Sequence, residues 1–100
     1  MARLRRKITV EVLWLYVAKV LARSNNPLRA YEIIKALREE MGLKVSTITA
    51  YRVIYRMSGE GLLEVVKVGG ENLYKLSDRG REEFNKAVEL LETIVKMLKA

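Results

Sequence analysis

Residues 45–63 combine a capped helix that has two different faces with a strand that follows at once. Ser46 is a suitable N-cap because its hydroxyl can accept from a backbone amide of the first turn, and Gly59 and Gly61 end the helix. At about 100° per residue, the side chains between these signals divide into two opposite arcs. The arc predicted to pack contains Thr47, Ala50, Tyr51, Ile54, Met57 and Ser58. The arc predicted to face outward contains Thr49, Arg52, Arg56 and Glu60.

The outward arc carries the groups that a helix uses in the major groove, namely guanidinium groups and a hydroxyl. Arg52 and Arg56 lie one turn apart, and either could bind guanine through two hydrogen bonds, worth about 1–3 kcal/mol of base discrimination. Val53 borders this face and could contact a thymine methyl group. The alternative is a solvated helix flank on which Glu60 pairs with Arg56.

Two helices are predicted ahead of this element. The first spans residues 8–23, where apolar residues repeat at helical spacing in a wide stripe. Residues 24–27 break it, because Asn tolerates left-handed geometry and Pro27 stops the hydrogen-bond ladder. The second helix runs over residues 29–41, and residues 43–45 are long enough for only a stub of strand before the next helix.

A β-hairpin and a long helix are predicted after it. Residues 62–68, which are rich in Val and Leu, and residues 73–76 flank a Gly-Gly-Glu-Asn turn. Ser77 caps a helix that reaches nearly to residue 100. This order of elements predicts a mainly α fold with a small β-hairpin (α+β), a winged helix-turn-helix. We expect one domain over residues 1–100, with a basic arm at 1–7, a winged-helix core at 8–77 and a dimerisation helix at 78–100.

The net charge of +7 is unevenly placed along the chain. Residues 1–24 carry +5 and residues 25–60 carry +2, whereas bases and acids balance from residue 61 onward. A localised basic region suits a polyanionic partner. The N-terminal bases predicted to contact it are Arg3, Arg5, Arg6 and Lys7. The alternative is that this arm only keeps the protein soluble.

The composition argues against catalysis and against a bound cofactor. Cys and His are both absent, which excludes thiol nucleophiles, imidazole bases and ordinary zinc or iron sites. The paired glycines lack the pattern of a phosphate-binding loop. We therefore expect no enzyme activity, no metal and no cofactor. Without an apolar run of about 18–20 residues or a cleavable signal, a cytoplasmic protein with no membrane partner is expected. The absence of Gln is compatible with a heat-adapted source.

The predicted last helix carries an apolar stripe at three-four spacing that one small domain has little surface left to bury. We expect it to form the interface of a homodimer together with the first helix. The residues assigned to this interface are Trp14, Phe84, Val88, Leu91, Ile94, Val95 and Leu98. The alternative is that the last helix folds back on the first helix of its own chain.

Three segments resemble motifs of the PadR-like transcriptional regulators. Ala-Tyr-Glu-Ile-Ile-Lys-Ala-Leu at residues 30–37 resembles that family's Gly-Tyr-Glu-Ile-Ile motif, with Ala30 in place of the usual Gly. Val-Ser-Thr-Ile-Thr-Ala-Tyr at 45–51, followed by Glu-Gly-Leu-Leu at 60–63, resembles its Val-Ser-x-x-Thr-x-Tyr and Glu-Gly-Leu-Ile elements. Tyr-Lys-Leu-Ser-Asp-Arg-Gly at 74–80 is similar to the close of its wing, Tyr-x-Leu-Thr-x-x-Gly.

The resemblance implies a dimeric repressor that binds double-stranded DNA with its third helix in the major groove and its wing on the flanking backbone. The positions it places near DNA are Ser46, Thr47, Thr49, Arg52 and Arg56.

The wing departs from the family pattern, because Glu71 stands at a tip where Arg or Lys is usual. Only Lys67 and Lys75 remain as wing bases, so we expect Lys44 and the N-terminal arm to carry more of the phosphate contact. Family members also suggest an aromatic effector lined by Trp14 and Tyr16, although dimer packing is the favoured role for these residues.

Tyr51 and Tyr55 are likewise interpreted as packing residues. Two rival functions stay open: a winged helix used as a protein–protein interaction module in a transcription or chromatin assembly, and a non-specific chromatin-type DNA binder.

Overall fold

The computed structural model describes residues 10–100. Its helices and strands, in chain order, are α1 (Val10–Arg23), β1 (Leu28–Arg29), α2 (Ala30–Glu39), α3 (Thr47–Gly59), β2 (Leu63–Val68), β3 (Glu71–Leu76) and α4 (Asp78–Lys99). The predicted fold class is confirmed: the chain is mainly helical and carries a β-hairpin between its third and last described helices.

The short strand lies before α2, whereas the sequence placed it at residues 43–45. Leu28 and Arg29 pair antiparallel with Tyr74 and Leu73, which gives a three-stranded sheet in the order β1-β3-β2. Residues 43–45 form no strand because local contacts take up their backbone groups. The amide of Leu43 donates to the Leu37 carbonyl at 3.0 Å, so this segment is the close of α2 and not the edge of the sheet.

The core lies where α1, α2 and α3 meet. Its largest fully buried side chains come from all three helices, which is why each helix needs one continuous apolar face: Val17, Ile33, Leu37, Ile54 and Met57. The hairpin closes one side of this core with Leu63, Tyr74 and Leu76. The position of α3 is therefore set by packing on two helices and on the wing.

A tight junction joins α4 to the end of α3. The Ser77 hydroxyl accepts from the amide of Gly80 at 2.9 Å, which caps α4, and donates to the carbonyl of Gly61 at 2.6 Å. The backbone of Gly80 lies so close to the loop between α3 and β2 that an added Cβ would be 2.0 Å from the Leu62 carbonyl oxygen. The glycine of the Leu-Ser-x-x-Gly motif thus has a physical explanation, since a side chain at this position would force the neighbouring backbone to shift.

The far half of α4 extends away from the core. Every residue from Glu89 onward is exposed, and the chain measures 52 × 27 × 22 Å along its principal axes. Packing against the core accounts for the start of α4 but not for its apolar stripe.

Candidate nucleic-acid interface

The N-terminus of α3 is held by two polar side chains. The Ser46 hydroxyl accepts from the Thr49 amide at 3.1 Å, as its predicted capping role requires, and donates to the Thr49 hydroxyl at 2.9 Å. Arg38 of α2 donates to the Val45 carbonyl at 3.1 and 3.0 Å and to the Thr47 hydroxyl at 3.0 Å. The role of Arg38 was not predicted from the sequence. The available signal was a basic residue on the outer face of α2, close to the turn that leads to α3. These bonds fix the first turn of α3 before any partner arrives.

The exposed face of α3 is rotated from the one that the sequence predicted. The helix buries Ala50, Val53, Ile54 and Met57. At about 100° per residue, the opposite arc is centred on Ile48, Arg52 and Tyr55, and its centre lies about 70° from that of the predicted arc. Ile48 is 72% exposed and Tyr55 is 58% exposed. Ile48 was not predicted on this face, and Tyr55, interpreted as a packing residue, lies at the rim with its ring 5.7 Å from that of Tyr51.

Val53 cannot contact a base, because it is only 3% exposed and belongs to the core. Its assignment to the outward face is therefore corrected. Thr49 is half-buried and its hydroxyl is engaged with the cap, so it lies at the edge of the face. Thr47 is exposed, although the helical-wheel assignment placed it inward.

Arg52 and Arg56 are both exposed but lie in different surroundings. Arg56 forms an ion pair with Glu60 at 3.5 Å, as the alternative interpretation of the sequence anticipated. Arg52 has no ion pair among the described residues and lies near the centre of the exposed arc. Of these two arginines, Arg52 is thus the one better placed to act on a partner that faces α3.

The wing is a β-hairpin with a two-residue loop, and the conformation of this loop requires its glycines. Gly69 and Gly70 have φ values of 57° and 83°, and two consecutive positive φ values are the signature of the turn that best fits the twist of paired strands. The register pairs Val68 with Glu71 at the tip and Lys67 with Asn72 next to it.

The two faces of the wing carry different charges. Because side chains alternate along a strand, Lys67 and Asn72 continue the face on which Leu63 and Tyr74 pack against the helices. Lys75 belongs to the other face, where it forms an ion pair with Glu64 at 3.2 Å. Of the two wing bases, Lys67 alone makes no ion pair in the part of the chain described, and it lies on the side of α3.

Glu71 is not a free acid at the wing tip. Its carboxylate accepts from Nε of Arg29 at 2.7 Å and lies 2.7 Å from Nη2 of the same side chain. The hydrogen bond and charge of Glu71 raise the pKa of the Arg29 guanidinium above its ordinary value. The ion pair joins β1 to the wing on the face away from Lys67, so the acid repels phosphate less than the sequence suggested.

Aromatic side chains fill the space between α3 and the wing. The rings of Tyr51 and Tyr55 lie 5.7 Å apart at an angle of 38°. Burial of Tyr74 raises the pKa of its hydroxyl, and nearby Tyr55 adds to the shift while a hydrogen bond with Asn72 opposes it. Tyr51 is half-buried against the core, which agrees with its predicted packing role.

A groove of about 380 Å³ lies on the other side of α3, between α1 and the start of α4. Trp14 lines it, whereas Tyr16 does not. The remaining lining mixes acids and bases with a few apolar groups: Glu11, Val53, Arg56, Met57, Glu60, Leu62, Arg79 and Glu83. The two residues suggested for an aromatic effector are therefore not brought together in this groove.

The predicted dimer residues form a graded stripe along α4. Phe84 and Val88 are half-buried, and Trp14 of α1 is also half-buried against the core. The stripe then continues with exposed side chains: Leu91, Ile94, Val95 and Leu98, widened by Leu90 and Met97. An exposed stripe of this length is unusual on a monomer and marks a contact surface.

The predicted phosphate contacts at Arg3, Arg5, Arg6 and Lys7 lie outside the described residues. Lys44 lies in the exposed loop just before α3. Among the described residues, no group of acids could hold a metal ion. No helix in residues 10–100 is long and apolar enough to cross a membrane.

Three helices in a core, a two-stranded wing beside the third and a long last helix define the winged helix-turn-helix class. A PadR-like transcription factor from Bacteroides fragilis has a similar structure, with a TM-score of 0.75 and 20% identity over 97% of this chain and 96% of that chain. A winged-helix DNA-binding protein from STIV is also similar, with a TM-score of 0.76 and 18% sequence identity over 85% of this chain and 92% of that chain. At such identities, these similarities show the fold alone.

The family is shown by the sequence itself. Residues 18–86 match the model of the PadR-like family of transcriptional regulators, and the chain belongs to this family. No curated protein sequence gives a significant match. The family consists of transcription factors and not of enzymes, in agreement with the expectation from the composition.

Proposed function

We propose that this protein binds double-stranded DNA as a homodimer, with α3 in the major groove, and regulates transcription, most simply as a repressor that blocks promoter access. The observation that carries the proposal is the exposed face of α3, which projects Arg52 from a helix whose first turn is fixed by Ser46 and Arg38. Membership of a family of transcriptional regulators supports it.

Bases on both sides of α3 support contact with the DNA backbone. Lys44 precedes the helix, Arg52 lies on its outer face and Lys67 extends from the wing on the side of α3. None of the three has an ion pair within the described residues, so their charges are available to phosphates. A helix flanked by a basic loop and a basic wing matches the backbone on either side of a major groove.

The N-terminal arm and the first turn of α3 complete the proposed contacts. Arg3, Arg5, Arg6 and Lys7 would bind phosphates regardless of sequence, because contacts of basic side chains with the phosphate backbone carry no base information. Ser46 and Thr47 are exposed at the start of α3, where hydroxyls and backbone amides commonly contact phosphate oxygens.

Dimerisation through α4 would place two copies of α3 on successive turns of one face of the DNA. The exposed stripe that contains Leu91, Ile94 and Val95 would pair with its symmetry mate, and a two-fold axis would require a palindromic operator with half-sites about 34 Å apart or a multiple of it. Trp14 and the half-buried start of α4 would lie at the inner end of this interface.

The salt dependence of binding to random-sequence duplex DNA tests the proposal. Lys44, Arg52 and Lys67 of two protomers make six bases in a dimer, so log K should fall with log salt at a slope of about −5, or more steeply if the N-terminal arm takes part. Absence of binding even at low salt would refute the proposal and favour the protein–protein interaction module.

Binding that shows no sequence preference would favour the other rival, the non-specific chromatin-type DNA binder. Selection of bound sequences from a random duplex pool separates these cases, because a dimeric reader enriches a palindrome and a non-specific binder enriches none. The enriched sequence also provides the operator for more detailed tests.

A further inference from the structure

Ile48 is exposed at the position where α3 would first enter a groove. It lies in the first turn, two residues after the N-cap Ser46, and is 72% exposed. Outside α4, no large apolar side chain of residues 11–100 is more exposed. Arg38 donates to the Val45 carbonyl and to the Thr47 hydroxyl beside it, which stabilises the start of this turn although the Ile48 side chain is largely exposed.

Ile48 is part of an apolar ridge and not an isolated side chain. Tyr55 is seven residues further along and therefore lies only about 20° away around the helix. The ring of Tyr55 continues to that of Tyr51, 5.7 Å away between centroids. Single exposed apolar residues are common on protein surfaces, whereas several of them on one helix face indicate a contact site.

The charges around this ridge favour a polyanion as its partner. Arg52 lies about 40° from Ile48 on the same arc. Lys44 precedes the helix, and the exposed arc carries no acid. Glu60 is the only acid of the C-terminal turn, where it pairs with Arg56 at the edge of the face. A protein partner for such a ridge would have to bury the Arg52 charge or supply a matching acid, whereas DNA supplies phosphates beside apolar groups.

The major groove offers one apolar group to such a side chain, the 5-methyl group of thymine. Resting on the proposed function, we infer that Ile48 recognises a thymine methyl group in each half-site, so that the preferred DNA carries thymine opposite the first turn of α3. Val53, the candidate that the sequence suggested for this contact, is buried, and Ile48 takes its place.

Deoxyuridine substitution tests this inference, because it removes only the methyl group and leaves base pairing and the O4 acceptor intact. Duplexes enriched by the wild-type protein are remade with each thymine replaced in turn by deoxyuridine. One buried methyl group lost should weaken wild-type binding about fourfold, and loss from both half-sites about fifteenfold.

The matched variants are Ile48→Ala and Val68→Ala. Ile48→Ala should bind the thymine and uracil duplexes equally while keeping the wild-type salt slope, since it removes no charge. Val68 is a similarly exposed β-branched residue, 57% exposed, on the face of the wing turned away from α3. Val68→Ala should keep the full uracil effect. Circular dichroism and thermal melts should show both variants folded, because neither side chain is buried.

The outcomes separate this inference from the proposed function. If wild-type protein binds the enriched duplex but tolerates uracil at every position, the methyl contact is refuted and the regulator proposal survives. If deoxyuridine weakens binding equally for wild type and Ile48→Ala, another residue contacts the methyl group, and the inference is also refuted. If no duplex is bound at low salt, both proposals fall, and the ridge is then a protein-docking surface.

Discussion

The substitution Gly80→Ala tests the junction between α4 and the rest of the winged helix. The φ value of Gly80 is not in the left-handed region, so alanine could adopt its backbone conformation. The obstacle is space: the new Cβ would be 2.0 Å from the Leu62 carbonyl oxygen, 2.9 Å from its carbon and 3.0 Å from Cδ1 of Leu76. Two of these atoms belong to the backbone, so a side-chain rotation cannot relieve the clash.

Two opposing effects determine how much Gly80→Ala changes the free energy of unfolding. Alanine in a helix is favoured over glycine by about 0.8–1.0 kcal/mol. Overpacking a tight site costs about 1–3 kcal/mol and more where the backbone must move. Because the closest approach is to a carbonyl oxygen, we expect the cost to exceed the gain and the free energy of unfolding to fall by about 1–2 kcal/mol. For a chain of this size, that lowers Tm by roughly 4–16 °C.

Gly59→Ala is the matched control. Gly59 ends α3, has no positive φ, and an added Cβ would meet nothing within 4 Å. It should therefore leave stability unchanged or raise it by up to about 1 kcal/mol. Both variants are compared with wild type by thermal and denaturant unfolding at one protomer concentration, because the proposed dimerisation would make Tm concentration-dependent. If Gly80→Ala is as stable as Gly59→Ala, the close approach does not determine the glycine at this position.

Three further experiments test the proposed dimer and DNA interfaces. Leu91→Glu places a charge in the stripe of α4 and should give monomer mass in sedimentation; an unchanged dimer mass would contradict the assigned interface. Arg52→Ala should lose about 1–3 kcal/mol of discrimination between the selected operator and random duplex, and Arg56→Ala less, because Arg56 is already paired; equal losses would mean that the face is centred as the sequence suggested. Glu71→Gln removes the nearer of the two acids that pair with Arg29 and leaves Glu32, whose Oε1 lies 3.5 Å from Nη1, so it should steepen the salt slope by less than about 2; an unchanged slope would place Arg29 out of reach of phosphates.

The sequence predicted the elements well because their signals are local. Ser46 and Ser77 both cap the helices assigned to them, and the hairpin turns at the predicted glycines. Each of these signals acts within a few residues of itself. The same locality explains the misplaced strand, since the partners of Leu28 and Arg29 lie more than 40 residues away on β3.

The orientation of α3 was harder to predict, because the sequence offers apolar residues on almost every side of it. Ile48, Val53 and Tyr55 are all apolar, and only tertiary packing decides which of them is covered. Val53 is buried because it meets the core beside Met57, and Tyr55 is left outside. The error of about 70° is less than one residue step, yet it exchanges a buried residue for an exposed one.

The ion pair between Arg29 and Glu71 shows the same limit for charge. The two residues are 42 positions apart, so no local sequence pattern indicates the pair, and Glu71 was interpreted as an unpaired acid. In the fold, β1 brings Arg29 beside β3, and the diagonal neighbours meet on one face of the sheet. The wing is therefore closer to neutral at its tip than its residues suggest, and its remaining free base lies on the side of α3.

The junction at Ser77 also links recognition to assembly. Its hydroxyl caps α4 and binds the carbonyl of Gly61, and its amide donates to the Leu62 carbonyl at 3.0 Å. The start of the proposed dimer helix α4 is thus hydrogen-bonded to Gly61 and Leu62, which directly follow the C-terminal end of α3. Because Gly80 leaves no free space there, a rotation of α4 cannot be absorbed locally and must move the C-terminal end of α3. In a dimer, the angle between the two copies of α4 would therefore set the separation of the two copies of α3, and with it the half-site spacing that the protein accepts.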